Sequence, residues 1–199
     1  MFETNKEVVI NRDNNCLERV GNHIEKINDL TNNHREADPK LPFHNVYAAS
    51  KVATGSVCVV SDDTHVFTLL LYACPSIIKT IYFRQGTQNK VEYHNITSLF
   101  SHLGTEVCSI LPHFYALTGC DFTYPFYFRS KCQAFKKMIS NQSVPQLISL
   151  QTDSADIETI TNFVLHTIYN RPLTENSPGQ SRYNIMVGNK RKEKIVYLN

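Results

Sequence analysis

The sequence predicts an α/β fold with a helical C-terminal half, on three observations. Residues 56–61 form a strand-like run built on the β-branched Val57, Val59 and Val60, and an apolar helical stretch at 66–73 and a second apolar strand at 77–83 follow it, the β-α-β rhythm of a parallel sheet. From residue 96 onward the apolar residues recur at helical spacing. The chain has 199 residues, 42% apolar and 19% charged, enough for one ordinary core and unlike disordered, collagen-like or coiled-coil sequences.

Short β-like pieces at 8–10, 16–20 and 23–27 are separated by Arg12-Asp13-Asn14-Asn15 and Gly21-Asn22, which read as turns of a hairpin. A helical pattern runs over about 38–52 and ends before Gly55; its two prolines, Pro39 and Pro42, predict a distorted or delayed first turn. The run 56–61 suits a buried parallel strand, closed by Asp62-Asp63. The apolar helix 66–73 stops at Pro75 and the strand 77–83 follows. A short strand at 91–94, helices at 96–103 and 105–117, an aromatic loop at 119–128, a basic helix at 130–139, an amphipathic helix at 154–169 and a last helix near 182–187 complete the reading.

The longest apolar run, Val66 to Cys74, is interrupted by Thr68 and falls far short of the roughly 20 residues that span a bilayer. Residues 1–6 show neither a basic nor an apolar signal region, so an intracellular place, nuclear or cytoplasmic, is expected. Cys16, Cys58, Cys74, Cys108, Cys120 and Cys132 are scattered and form no CxxC pair, which predicts reduced core thiols. Net charge is +2, but unevenly spread: Arg129, Lys131, Lys136 and Lys137 meet no acid within 129–138, and a second basic stretch lies at 182–194. An acidic body with two basic segments suits either a polyanion site or ordinary solvated faces.

Acidic residues fall at element boundaries: Glu36-Ala37-Asp38 where a helix starts, Asp62-Asp63-Thr64-His65 where a strand ends, and Asp121 after Gly119-Cys120. Ligand sites of open α/β sheets gather beyond the carboxyl ends of the strands, which is where Asp63 is expected. Carboxylates drawn together from three segments repel one another unless hard divalent cations lie between them. Such a cage fits two-metal hydrolysis of phosphodiesters.

Glu36-Ala37-Asp38, then Val59-Val60-Ser61-Asp62-Asp63-Thr64-His65-Val66, then Ala116-Leu117-Thr118-Gly119-Cys120-Asp121 with a Lys-bearing helix after it, resemble the flap-endonuclease branch of the PIN-like nuclease superfamily. The nearest likeness is to a subgroup of animal and mobile-element-associated proteins. The resemblance covers about residues 6–188 and implies a three-layer PIN-like sheet in one domain over 1–188, with an α/β part at 6–117, a helix-two-turn-helix-like part at 118–188 and a basic tail at 189–199. It also implies a structure-selective nuclease dependent on Mg²⁺ or Mn²⁺, acting on nucleic acid, DNA sooner than RNA, with no membrane partner. Glu36, Asp38, Asp63 and Asp121 occupy the family's metal-ligand positions, with Asp63 and Asp121 as the catalytic core. Arg129, Lys131, Lys136 and Lys137 would contact phosphates without reading sequence. The chain departs from the family at His65, where an acid is usual and a nitrogen ligand suits softer metals. It departs again in the glycine-free stretch Phe128-Arg129-Ser130-Lys131, and the family's first strand is expected upstream of residue 6.

Simpler readings stand beside these. Asp38 before Pro39 is also an ordinary helix cap, and on a regular helix Glu36 and Asp38 lie about 200° apart. Asp62 and Asp63 also suit caps of the following helix, His65 a surface histidine, and Asp121 a turn residue. The rings at Phe122, Tyr124, Phe126, Tyr127 and Phe128 fit base stacking or core packing. A non-catalytic remnant of the fold, binding nucleic acid or protein, is the alternative function.

Overall fold

The structure, a computed structural model, describes residues 7–12, 15–20, 23–31, 39–51, 53–87, 90–119, 130–140, 143–148, 157–169, 179–180, 183–184 and 187. The chain divides into two compact units, Met1–His102 and Leu103–Asn199. The fold is mixed α/β, with two three-stranded sheets among the described residues. No described helix is long and apolar enough to cross a membrane.

In the first unit, β1 (Glu7–Arg12), β2 (Asn15–Val20) and β3 (His23–Lys26) form an antiparallel meander with Val9 opposite Glu18 and Glu18 opposite Glu25. Two successive hairpins are found where the sequence suggests one. Cys16 is fully buried against Ile27 and Leu30, with Val9 and Tyr47 packed around them. The Tyr47 hydroxyl donates to Glu18 at 2.8 Å, which ties the meander to α1 (Lys40–Lys51).

Helix α1 starts at Lys40, later than the pattern from 38 predicts. Pro42 is accommodated because it is the third helical residue, and the first four helical N–H groups have no intrahelical acceptor. Strand β4 (Ser56–Val60) and α2 (Thr64–Ala73) follow, then a 3-10 turn, Cys74–Ser76, at Pro75. Strand β5 (Thr80–Gln85) begins three residues after the predicted start, because the Ile77 N–H closes that turn on the Cys74 carbonyl at 3.1 Å. Strand β6 (Glu92–Asn95) leads directly into α3 (Ile96–Leu103), which Asn95 caps by accepting from the Ser98 N–H at 2.9 Å.

The second sheet has the order β4-β5-β6, with β4 and β5 parallel and β5 and β6 antiparallel. Alternation along the strands separates its faces. Val59, Ile81 and Phe83 are buried on the inner face, where Phe67 of α2 meets Phe83 edge-on at 5.3 Å between ring centroids. Val60, on the outer face, is 61% exposed. The expectation of a strand buried on both sides is therefore corrected: β4 lies at the edge of the sheet and buries one face.

The second unit is helical: α4 (Thr105–Leu117), α5 (Lys131–Ser140), α6 (Val144–Ile148) and α7 (Ile157–Phe163), the last continued by one wide turn, Val164–Ile168. Gly104, at φ +82°, precedes α4, and a Cβ added there would meet nothing within 4 Å. Ile110, Phe114, Met138, Leu147, Phe163, Val164, Ile168 and Tyr169 form one core. The fully buried Thr167 hydroxyl donates to Ser143 at 3.1 Å, which satisfies a group whose burial would otherwise be costly. The helix expected at 182–187 and the loop at 121–128 lie outside the described residues, apart from single positions of the former.

Described cysteines are all free thiols. Cys16, Cys74 and Cys108 are buried as expected, and burial pushes the Cys16 and Cys74 thiols up, which keeps them protonated and inert. Cys58 and Cys132 are exposed, a correction to the expectation of core thiols. Cys58 is exposed because it shares the outer sheet face with Val60.

Candidate functional site at the sheet rim

Because β4 and β5 run parallel, their carboxyl ends reach the same rim, and antiparallel β6 returns its amino end there, with Gln85 opposite Glu92. The ladder extends one residue past β4 through the Ser61 N–H, which donates to the Arg84 carbonyl at 3.1 Å. Asp62 then accepts from the Gly86 N–H at 2.6 Å, bridging the two strand ends. Gly86 holds φ +94°, and a Cβ there would lie 1.9 Å from the Lys90 carbonyl oxygen, so both backbone angle and space demand glycine.

Asp63 stands at the junction of β4 and α2, exposed, with extended backbone. Its carboxylate accepts from the His65 N–H at 2.7 Å, and its own N–H donates to the Ser61 hydroxyl at 3.1 Å. It is the N-cap of α2 and the sequence-predicted ligand at once, since the capping bond uses one carboxylate oxygen. His65 is half-buried in the first turn of α2.

Asp62, Gln85, Gly86, Lys90 and Glu92 line an open depression of about 230 Å³. Glu92 accepts from Gln85 at 3.3 Å and pairs with Lys90 at 3.3 Å. The Gln85 hydrogen bond, followed by Lys90, holds its carboxyl below the usual carboxylate range. The Gln85 amide nitrogen also lies 3.1 Å from His94 Nε2. The rim therefore offers acceptors on Asp62, Asp63 and Glu92 beside donors on Lys90 and Gln85, an arrangement able to hold a polar ligand.

Of the sequence-predicted ligands, Asp63 is at this rim, and Glu36, Asp38 and Asp121 lie outside the described residues, as does Arg129. Among the described residues no three His, Cys, Asp or Glu side chains come together as a metal site. The described rim alone does not make the oxygen cage a divalent ion needs.

The basic helix α5 is capped by the Ser130 hydroxyl, which accepts from the Gln133 N–H at 3.2 Å. Lys131, Ala134, Phe135 and Met138 follow the i, i+3, i+4, i+7 stripe, and Ala134 and Met138 are buried. Lys131 lies on that stripe, with its ammonium 3.3 Å from the centroid of the Tyr115 ring. Lys136, by contrast, is exposed, and Lys137 is half-buried. The three lysines do not share one surface.

Gln85, Lys90 and Glu92 were not singled out by sequence reasoning. The alternation at 91–94 signals a strand, but only the pairing of β5 with β6 brings Glu92 to Asp62. The class that fold and rim define is a mixed α/β protein with polar groups gathered at the carboxyl end of a parallel strand pair. No protein-family model, curated protein or solved structure matches the chain.

Proposed function

We propose that this chain is a PIN-like domain of the flap-endonuclease branch, built on a three-layer sheet and acting inside the cell as a degenerate divalent-metal-dependent nuclease. One observation carries this reading. Asp63 stands at the carboxyl end of β4 in a parallel β4-α2-β5 unit, beside Asp62 and at the rim that Glu92 also reaches, where open α/β sheets bind their ligands. In this reading Glu36, Asp38 and Asp121 complete an acidic shell for Mg²⁺ or Mn²⁺, with Asp63 and Asp121 at its core. The bound ion supplies charge stabilisation during phosphodiester hydrolysis. Arg129, Lys131, Lys136 and Lys137 hold the backbone of DNA, Lys131 from its place over the Tyr115 ring.

The second reading is a non-catalytic nucleic-acid-binding or protein-binding module. It is favoured by Asp62 and Asp63 both serving as acceptors for backbone N–H groups, a structural use that needs no metal. Labelled single-stranded, duplex and flap substrates incubated with EDTA, Mg²⁺ or Mn²⁺ separate the two. Cleavage that requires metal and disappears in the Asp63→Asn/Asp121→Asn double variant supports the nuclease. Absence of cleavage with either ion, from a sample with a cooperative melt, removes that reading and leaves the binding module.

A further inference from the structure

The outer face of the β4-β5-β6 sheet carries a group of side chains that the rim does not use. By register, Val60, Arg84 and Tyr93 form one cross-strand row and Cys58, Tyr82 and Asn95 the next. Tyr93 is 65% exposed, Val60 and Cys58 are exposed, and Tyr82 and Arg84 are half-buried. Arg84 is directly opposite Tyr93, and Tyr82 is its diagonal neighbour, within reach of long side chains across the strands. No acid occupies these rows. Among the described residues Arg84 makes no ion pair, and neither the Tyr82 nor the Tyr93 hydroxyl has a hydrogen-bond partner.

We infer that this face is a stacking platform for unpaired nucleobases, with Tyr93 and Tyr82 each taking a base and Arg84 meeting the phosphate between them. Charge and aromatic faces select this occupant. A guanidinium without a carboxylate partner favours a polyanion. Two tyrosines on neighbouring strands of one sheet face suit two bases, a mode in which aromatic side chains stack without reading sequence. The diagonal spacing of about 7–8 Å between the tyrosines exceeds the 3.4 Å rise of stacked neighbours, so the two bases are splayed and the strand is single. The inference shares a ligand class with the nuclease reading and is independent of the acidic rim.

Fluorescence anisotropy of the full chain in EDTA, with labelled 12-nucleotide oligothymidine, oligouridine and a duplex control, tests it without any cleavage. Both single strands are expected to bind at least about ten-fold more tightly than the duplex. Tyr93→Ala is expected to weaken binding about ten-fold or more, Tyr93→Phe to stay within about two-fold, and Tyr93→Leu to behave like Tyr93→Ala. Arg84→Gln is expected to weaken binding and lower the salt dependence by about one phosphate contact. An unchanged urea midpoint for the Tyr93 variants confirms that the fold is kept. Duplex binding as tight as single-strand binding, or Tyr93→Ala or Tyr93→Leu binding like the unaltered chain, overturns the inference.

Discussion

In the helical unit, polar side chains that leave solvent are closed locally: Thr167 donates to Ser143, and the Thr118 hydroxyl donates to the Phe114 carbonyl at 2.7 Å. In the α/β unit, Asp62, Asp63 and Glu92 stay exposed, and the two aspartates accept from backbone N–H groups at 2.6 and 2.7 Å. The first arrangement removes polar groups from chemistry, whereas the second fixes the two aspartates through one carboxylate oxygen each. The described helical core is therefore a packing structure in which substitutions are felt as stability, and the sheet rim keeps its polar groups where substitutions are felt as geometry.

The largest effect that sharpens this contrast is expected at Phe163, 1% exposed in the helical core. Phe163→Ala should cost about 3–5 kcal/mol in urea unfolding through the cavity it leaves. A cost under 1 kcal/mol, on the same scale, would break the picture of a close-packed helical unit. Next is Gly86→Ala, which meets both a left-handed backbone angle and the Lys90 carbonyl. It should destabilise by about 1–3 kcal/mol and, in hydrogen exchange, expose the amides of β6. Asp63→Ala should cost about 1 kcal/mol through loss of the α2 cap, while Asp63→Asn keeps the cap. A stability loss shared by both variants would show that the charge, not the cap, is what matters.

The smallest effect is a pH dependence. The Glu92 carboxyl is depressed in the folded state by Gln85 and Lys90, so its contribution is present above the unfolded carboxylate range and is lost as pH falls through the folded value. Carboxyl NMR should show Glu92 titrating below an ordinary glutamate, and Gln85→Ala should move it upward.

Much of this architecture is legible in the sequence because its signals are local. The β-branched run, the aspartate cap and Pro75 give β4, α2 and the turn after it to within a few residues. Helix α6 escapes notice because five residues that include Pro145 show no period. The start of β5 is misread because Ile77 is apolar but spends its N–H on a turn. The outer sheet face is misread for a related reason: an apolar run reports hydrophobicity on both sides of a strand and does not say which side a helix covers. The candidate site follows the same rule. Asp63 is found from its place at a strand end, whereas Glu92 and Lys90 depend on strand register, which no short motif records. Lys131 belongs to a basic cluster in sequence and to a buried stripe in space.

Gly104 has a consequence for chirality. Its φ of +82° and ψ of 161° form the mirror image of an extended L-residue, and nothing lies within 4 Å of an added Cβ. Among the twenty coded residues only glycine accepts this conformation freely, so the chain reverses its hand for one residue before α4. Because space for a Cβ is open, an alanine there would be strained by its backbone angle alone, so the cost of Gly104→Ala reports the handedness of the turn and not packing.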